Sequence, residues 1–219
     1  MRNLYILLLI LLTLPINRLY GQNFSYLEKT DQDSVYINWR IEEKPNFIVL
    51  ISTRTNGEKQ IIKHDKNLSV LEWLFINPNT NTDIRAKRQN NIILIKGLHK
   101  GLKVERKIKI DNHSWYQKVS FSLTSFINSA ESSLIFWSLR TDVLKPFKLK
   151  ALKQQTENLN LEGKETKARR VKVTLSGLRS MFWHSDYWFR EKDNLFIKYK
   201  GIEGPPGTPP TVITLQNSQ

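Results

Sequence analysis

The sequence predicts a mainly β protein, a curled antiparallel sheet forming a β-roll or partly open barrel, with one or two helices around 115–140. Three observations predict this. Apolar and polar residues alternate with period 2 along most of the chain, the pattern of strands buried on one face. Asn-Gly and Asn-Asn pairs fall between β-rich runs, where hairpin turns need them. One stretch, residues 112–140, breaks the alternation with apolar residues at helical spacing.

The elements follow in order. Residues 1–21, MRNLYILLLILLTLPINRLYG, have the layout of a secretory signal peptide. Arg2 leads into an apolar run from Leu4 to Leu14, Pro15 breaks it, and cleavage is expected after the small Gly21. The run is shorter than the ~20 residues a helix needs to cross a bilayer. Residues 22–219 are then expected to form a single β-rich domain without a transmembrane helix. SVYINWRI (34–41) sets Val35, Ile37, Trp39 and Ile41 against Tyr36, Asn38 and Arg40. NFIVLISTRTNGEKQIIKH (46–64) reads as a hairpin whose Asn56-Gly57 suits a type I′ turn. DIRAKRQNNIILIKG (83–97) reads as another, bending at Asn90-Asn91. LKVERKIKI (102–110) alternates again.

In NHSWYQKVSFSLTSFINSAESSLIFWSLR (112–140), Trp115, Val119, Leu123, Phe126 and Ile127 predict a helix. Ser129 is placed to cap a second, with Glu131 near its positive end. Alternation resumes at FKLKALKQQ (147–155) and continues through KARRVKVTLSG (167–177), FWHSDYWFR (182–190) and NLFIKYKG (194–201). The run GPPGTPP (204–210) reads as a stiff connection to a last strand, TVITLQ (211–216). It is no phosphate loop, because prolines remove the N–H donors such a loop uses.

Composition narrows the chemistry. Hydrophobic residues make up 40% of the chain, with 10 Phe, 7 Tyr and 6 Trp, enough for a sizeable core. The absence of cysteine excludes disulfides, thiolate nucleophiles and Cys-based metal sites. The four histidines lie far apart, none with a metal-type partner, so no metal and no cofactor are expected. The formal charge is +14, and +12 once Arg2 and Arg18 leave with the signal peptide. Such a surplus favours anionic partners, and an exported chain meets acidic polysaccharide or lipid head groups rather than nucleic acid.

Two sets of residues are candidates for binding. In FWHSDYWF, strand geometry puts His184, Asp186 and Trp188 on one face with Phe182. His184 and Asp186 could form a carboxylate–imidazole pair, although no nucleophile stands beside them. Trp183 and Trp188 could offer flat apolar area to sugars or lipids. The second set is cationic: Arg85 to Lys109 holds nine Lys/Arg and one Glu. Arg85, Lys87, Lys103 and Lys107 would share an outer face if their strands lie in one sheet. The plain alternatives are core packing for the rings and a solubilising surface for the cations.

A resemblance enters here. SSLIFWSLRTDVLKPFKLK (132–150), EGKETKARRVKVTL (162–175), SDYWFREKDNLFIKY (185–199) and a final TVITL resemble a family of exported bacterial proteins of unknown function built as a curled β-roll. Leu139-Arg140 matches its leucine/aromatic–Arg motif. The likeness spans roughly 115–216 and implies a fold and an envelope location, with no activity attached. The expectation is an exported, non-enzymatic β-roll in the periplasm or outside the cell. Its partner would be an anionic or glycan-like envelope component, a lipid, or an envelope protein. The alternatives are an envelope hydrolase or transferase using His184 and Asp186, and a lipid or glycolipid carrier with its cargo inside the sheet.

Overall fold

The computed structural model describes residues 21–161, 163–177, 183–202 and 208–218. All of the expected signal peptide except Gly21 lies outside the described residues, as does most of the Gly/Pro run. The first half is an antiparallel meander of eight strands: β1 (Asn23–Thr30), β2 (Asp33–Glu43), β3 (Ile48–Arg54), β4 (Lys59–His64), β5 (Val70–Asn77), β6 (Thr82–Gln89), β7 (Ile92–His99) and β8 (Leu102–Lys109). A two-residue strand β9 (Ser114–Trp115) precedes the helix α1 (Val119–Asn128). Then come β10 (Ser133–Arg140), β11 (Lys145–Leu161), β12 (Lys164–Leu175), β13 (His184–Arg190), β14 (Phe196–Gly201) and β15 (Thr211–Ser218).

These strands make one 15-stranded sheet, in the order β8-β7-β6-β5-β4-β3-β2-β1-β15-β14-β13-β12-β11-β10-β9. Every neighbouring pair is antiparallel except β9 with β10. The last strand in sequence, β15, sits mid-sheet between β14 and β1. The mainly β, curled architecture expected from the alternation is the one observed.

Two local expectations change. The Asn56-Gly57 turn is not type I′, because only Gly57 has positive φ, at 89°. Gly57 N–H donates to the Arg54 carbonyl, and Arg54 N–H donates to that of Glu58. That is a three-residue loop ending in a left-handed glycine. The second helix expected after Ser129 is absent: Ser133–Arg140 is strand β10, paired with β11 from Ser133↔Leu152 to Arg140↔Lys145. Its Phe136 and Leu139 are buried while Leu134, Ile135 and Trp137 are half-buried. Contacts on both faces hide the period-2 signal.

The inner faces of the strands build the core. Tyr26, Ile37, Trp39, Leu50, Ile62, Trp73, Ile84, Ile93 and Ile95 are buried there, each contributing roughly 1.5–3 kcal/mol. Helix α1 fills the inside of the roll. It packs on β13 and β14, and Phe121 meets Trp39 edge-on at 6.3 Å and His64 at 5.0 Å. Leu123, Phe126 and Ile127 are also buried. A polar chain runs along part of the inner face: Arg54 donates to both oxygens of Glu28 at 2.8 and 2.7 Å, Gln60 donates to Glu58, and Trp73 to Gln60.

The curl brings the two ends of the sheet together without a ladder between them. His99 Nε2–H donates to the Thr141 carbonyl at 2.9 Å, and Arg106 to that of Val143 at 3.1 Å. The seam is thus stitched by side chains, so the roll is drawn shut while the sheet stays open.

Candidate functional site

The outer face of β6, β7 and β8 collects the predicted cations. Arg85 stands opposite Lys96, which stands opposite Glu105; Lys87 stands opposite Leu94, which stands opposite Lys107; Lys103 stands opposite Leu98. Period 2 therefore places Arg85, Lys87, Lys103 and Lys107 on the same side, and all four are exposed. With strands ~4.8 Å apart, Lys87 and Lys107 are about 10 Å apart. Lys96 pairs with Glu105 at 2.8 Å and Lys87 with Glu72 at 3.1 Å. Among the described residues, no carboxylate pairs with Arg85, Lys103 or Lys107.

The aromatic strand is arranged differently. Ser185 and Phe189 of β13 point into the core and are fully buried. His184 is exposed at the strand's start and Asp186 is half-exposed. No hydrogen bond joins them among the described residues. Trp188 is only 6% exposed. Its Nε1–H donates to the Glu157 carboxylate, and the Lys198 ammonium lies 5.4 Å from its ring centroid. Trp183 donates to the Ile202 carbonyl at 2.8 Å. The flat surface expected of these two rings is therefore closed at Trp188, because neighbouring strands cover it.

A carboxylate–imidazole pair does exist, at a place the sequence reading passed over. Asp111 Oδ1 accepts from His113 Nδ1 at 2.6 Å, from Trp137 Nε1 at 2.7 Å and from the His113 backbone N–H at 3.1 Å. Oδ2 accepts from Lys148. The Lys148 hydrogen bond above all, then that of Trp137, holds the Asp111 carboxyl well below the usual carboxylate range. Arg88 reaches the Asp111 carbonyl at 3.4 Å. Asp111 thereby ties the end of the first meander to β6, β10 and β11. Among the described residues, no hydroxyl is hydrogen-bonded to His113; through Asp111 the pair is part of the seam.

Two hollows lie on the outer side of the sheet. The larger, about 530 Å³, is lined by residues of β15, β1, β2, β3 and β4, including Ser25, Asn38, Thr53, Lys59 and Asn217. The smaller, about 300 Å³, lies beside it along β1 and β15, where Leu27, Lys29, Val212 and Thr214 meet Leu161 from the tip of the β11–β12 hairpin. The register of β11 and β12 shifts between Lys153 and Thr156, and a bulge there bends the long strands toward this face. Inside the roll, α1 and the aromatic side chains occupy the space, so an acyl chain carried there would have to displace the helix.

No protein-family model matches the chain, and no curated protein matches its sequence. Among solved structures, the chain is similar to a β-barrel-like protein of domain of unknown function DUF1849 from Brucella abortus. The TM-score is 0.63 at 6% identity, over 92% of this chain and 98% of that one. Weaker likenesses are to the hypothetical lipoprotein YmcC from Escherichia coli, with TM-score 0.41 at 10% identity over 91% and 89% of the two chains, and to a LolA superfamily protein from Nitrosomonas europaea, with TM-score 0.29 at 4% identity over 90% and 84%. At such identities the first likeness carries the fold alone: the chain shares a bacterial β-barrel-like architecture.

Proposed function

We propose that the chain is an exported, non-enzymatic β-roll protein that binds an anionic component of the bacterial cell envelope through the outer face of β6–β8. The carrying observation is the placement of Arg85, Lys103 and Lys107 on one exposed face, in no ion pair among the described residues, with Glu105 between the two lysines held by Lys96 and felt more weakly by Lys107. Edge strand β8 adds Lys109 on the same side. Such cations attract anions additively and with strong dependence on salt. The shared chemistry of the ligand is a dense row of phosphate, sulfate or carboxylate groups, supplied by an acidic polysaccharide or by lipid head groups.

The test uses heparin and phosphatidylglycerol vesicles side by side. The protein is expected to bind at least one of them at low salt and to release it as salt rises. Replacing Arg85, Lys103 and Lys107 together by serine should weaken that binding about a hundredfold, at roughly 1 kcal/mol per cation. Failure of the unaltered protein to bind either probe at low salt overturns the proposal. Equal binding by the triple variant does so too.

A further inference from the structure

We infer that the outer surface of β15, β1, β2, β3 and β4 is a binding groove for an anionic glycan chain, separate from the cationic face of β6–β8. The strand register lines up one polar row across five strands: Lys59 opposite Thr53, Thr53 opposite Asn38, Asn38 opposite Ser25, and Ser25 opposite Asn217. At ~4.8 Å per strand the row is about 19 Å long, room for several sugar rings. It runs along the hollow of about 530 Å³. The neighbouring hollow of about 300 Å³ extends it along β1 and β15.

The chemistry of the lining selects the ligand. Among the described residues, the side chains of Ser25, Asn38, Thr53 and Asn217 make no hydrogen bond within the protein, so their donors and acceptors are turned outward. An amide offers donors and an acceptor side by side, and a hydroxyl offers both. These groups complement the adjacent hydroxyls of a sugar. Leu27, Ile51 and Val212 supply apolar patches among them for the C–H faces of the rings. Tyr36 is 49% exposed. It stands opposite Leu27, which lines the smaller hollow, and on the same side of β2 as Asn38, which lines the larger, so a sugar ring between them can stack on it.

Charge completes the selection. Lys59 and Arg40 line one hollow, Lys29 and Lys198 the other, and neither contains an acidic residue. Arg40 shares its charge with Glu42 at 2.8 Å; Lys59 and Lys29 are in no ion pair among the described residues. A flat bilayer does not enter a concave groove, whereas a flexible polymer does. A nucleic acid strand would call for several stacking rings, and this surface offers one.

The experiment titrates the protein calorimetrically with hexagalacturonate, a uronic-acid oligomer, and in parallel with neutral cellohexaose. Hexagalacturonate is expected to bind and cellohexaose to bind at least about tenfold more weakly, two lost charge contacts sufficing for that. Asn38→Ala combined with Asn217→Ala should weaken hexagalacturonate binding about tenfold or more through lost hydrogen bonds. Both side chains are exposed, so circular dichroism should be unchanged. Lys59→Glu is the second, independent variant and should weaken binding likewise. The serine variant at Arg85, Lys103 and Lys107 should lose any hexagalacturonate binding made at the cationic face and keep that of the groove, which Asn38→Ala/Asn217→Ala in the same background should then weaken. Loss of binding in that variant, with Asn38→Ala/Asn217→Ala unaffected, overturns the groove and leaves the cationic-face proposal standing. Absence of hexagalacturonate binding, or equal binding of cellohexaose, also overturns the inference.

Discussion

Burial holds His64 neutral. It is 0% exposed on the inner side of β4, against the Phe121 ring. Desolvation lowers its pKa from 6.5 to about 3, opposed in part by the backbone at Ile48 and Ile62. The unfolded chain takes up this proton near pH 6.5 and the folded one only near 3, so between those values the unfolded state binds more protons. The contribution to stability is complete above about pH 6.5 and falls as the pH drops toward 3, by up to about 1.4 kcal/mol per unit. Urea unfolding should show the protein about 3 kcal/mol less stable at about pH 4.5 than at about pH 7. His64→Leu should remove most of that difference; an unchanged difference would place the acid sensitivity elsewhere. Side-chain direction is what the sequence leaves open at single residues, and the spacing of His184 and Asp186 illustrates it. That i,i+2 spacing is shared by Asp111 and His113. On a strand, such side chains stand parallel, about 6.5–7 Å apart. Only a turn folds them together, as the hydrogen bond from His113 N–H to Asp111 Oδ1 shows. Spacing was visible in the sequence and direction was not.

The strands of the first half were legible because each buries one face: Ile37, Trp39 and Ile41 alternate with exposed Asn38 and Arg40 on β2. Strand β10 was misread because Leu134 to Trp137 are contacted on both sides, which leaves an unbroken apolar run that suits a helix equally well. The polar row across β4, β3, β2, β1 and β15 could not be read in advance. Its members lie on five strands, and their alignment depends on loop lengths and on the register shift at Ser25/Tyr26. One strand pair depends on a single glycine. Gly97 of β7 has φ +136°, and a Cβ there would lie 2.1 Å from the Asp83 carbonyl oxygen of β6. Gly97→Ala must push the two backbones apart and force a strained φ, with an expected loss of roughly 1–3 kcal/mol. A shift in the urea midpoint measures it; an unchanged midpoint would show that the two strands separate at no cost.

At the scale of the molecule, β15 is the element on which the sheet depends. It supplies the ladders to both β1 and β14, and Tyr26, Tyr199 and Phe196 pack near the join. Without it both neighbours become free edges, the feature that invites association with other chains. A chain ending before Thr211 is expected to lose its near-ultraviolet circular dichroism and to elute as aggregate. A native spectrum from that shortened chain would show instead that the two halves hold without β15. The likeness of fold to a bacterial β-barrel-like protein at 6% identity shows that two largely different sequences satisfy this arrangement. The outer faces, by contrast, carry the two binding surfaces proposed above.

The position of β15 also sets an order in time. A chain that emerges from a ribosome or a membrane channel N-terminus first presents β1 early, and β1 then waits for a partner until nearly everything else has appeared. Once β14 has formed, two half-sheets, each with one raw inner margin, coexist until β15 joins them. A factor that shields such margins, or a channel that keeps hold of the final segment, would keep the whole molecule unfinished, and letting go of that segment would complete it.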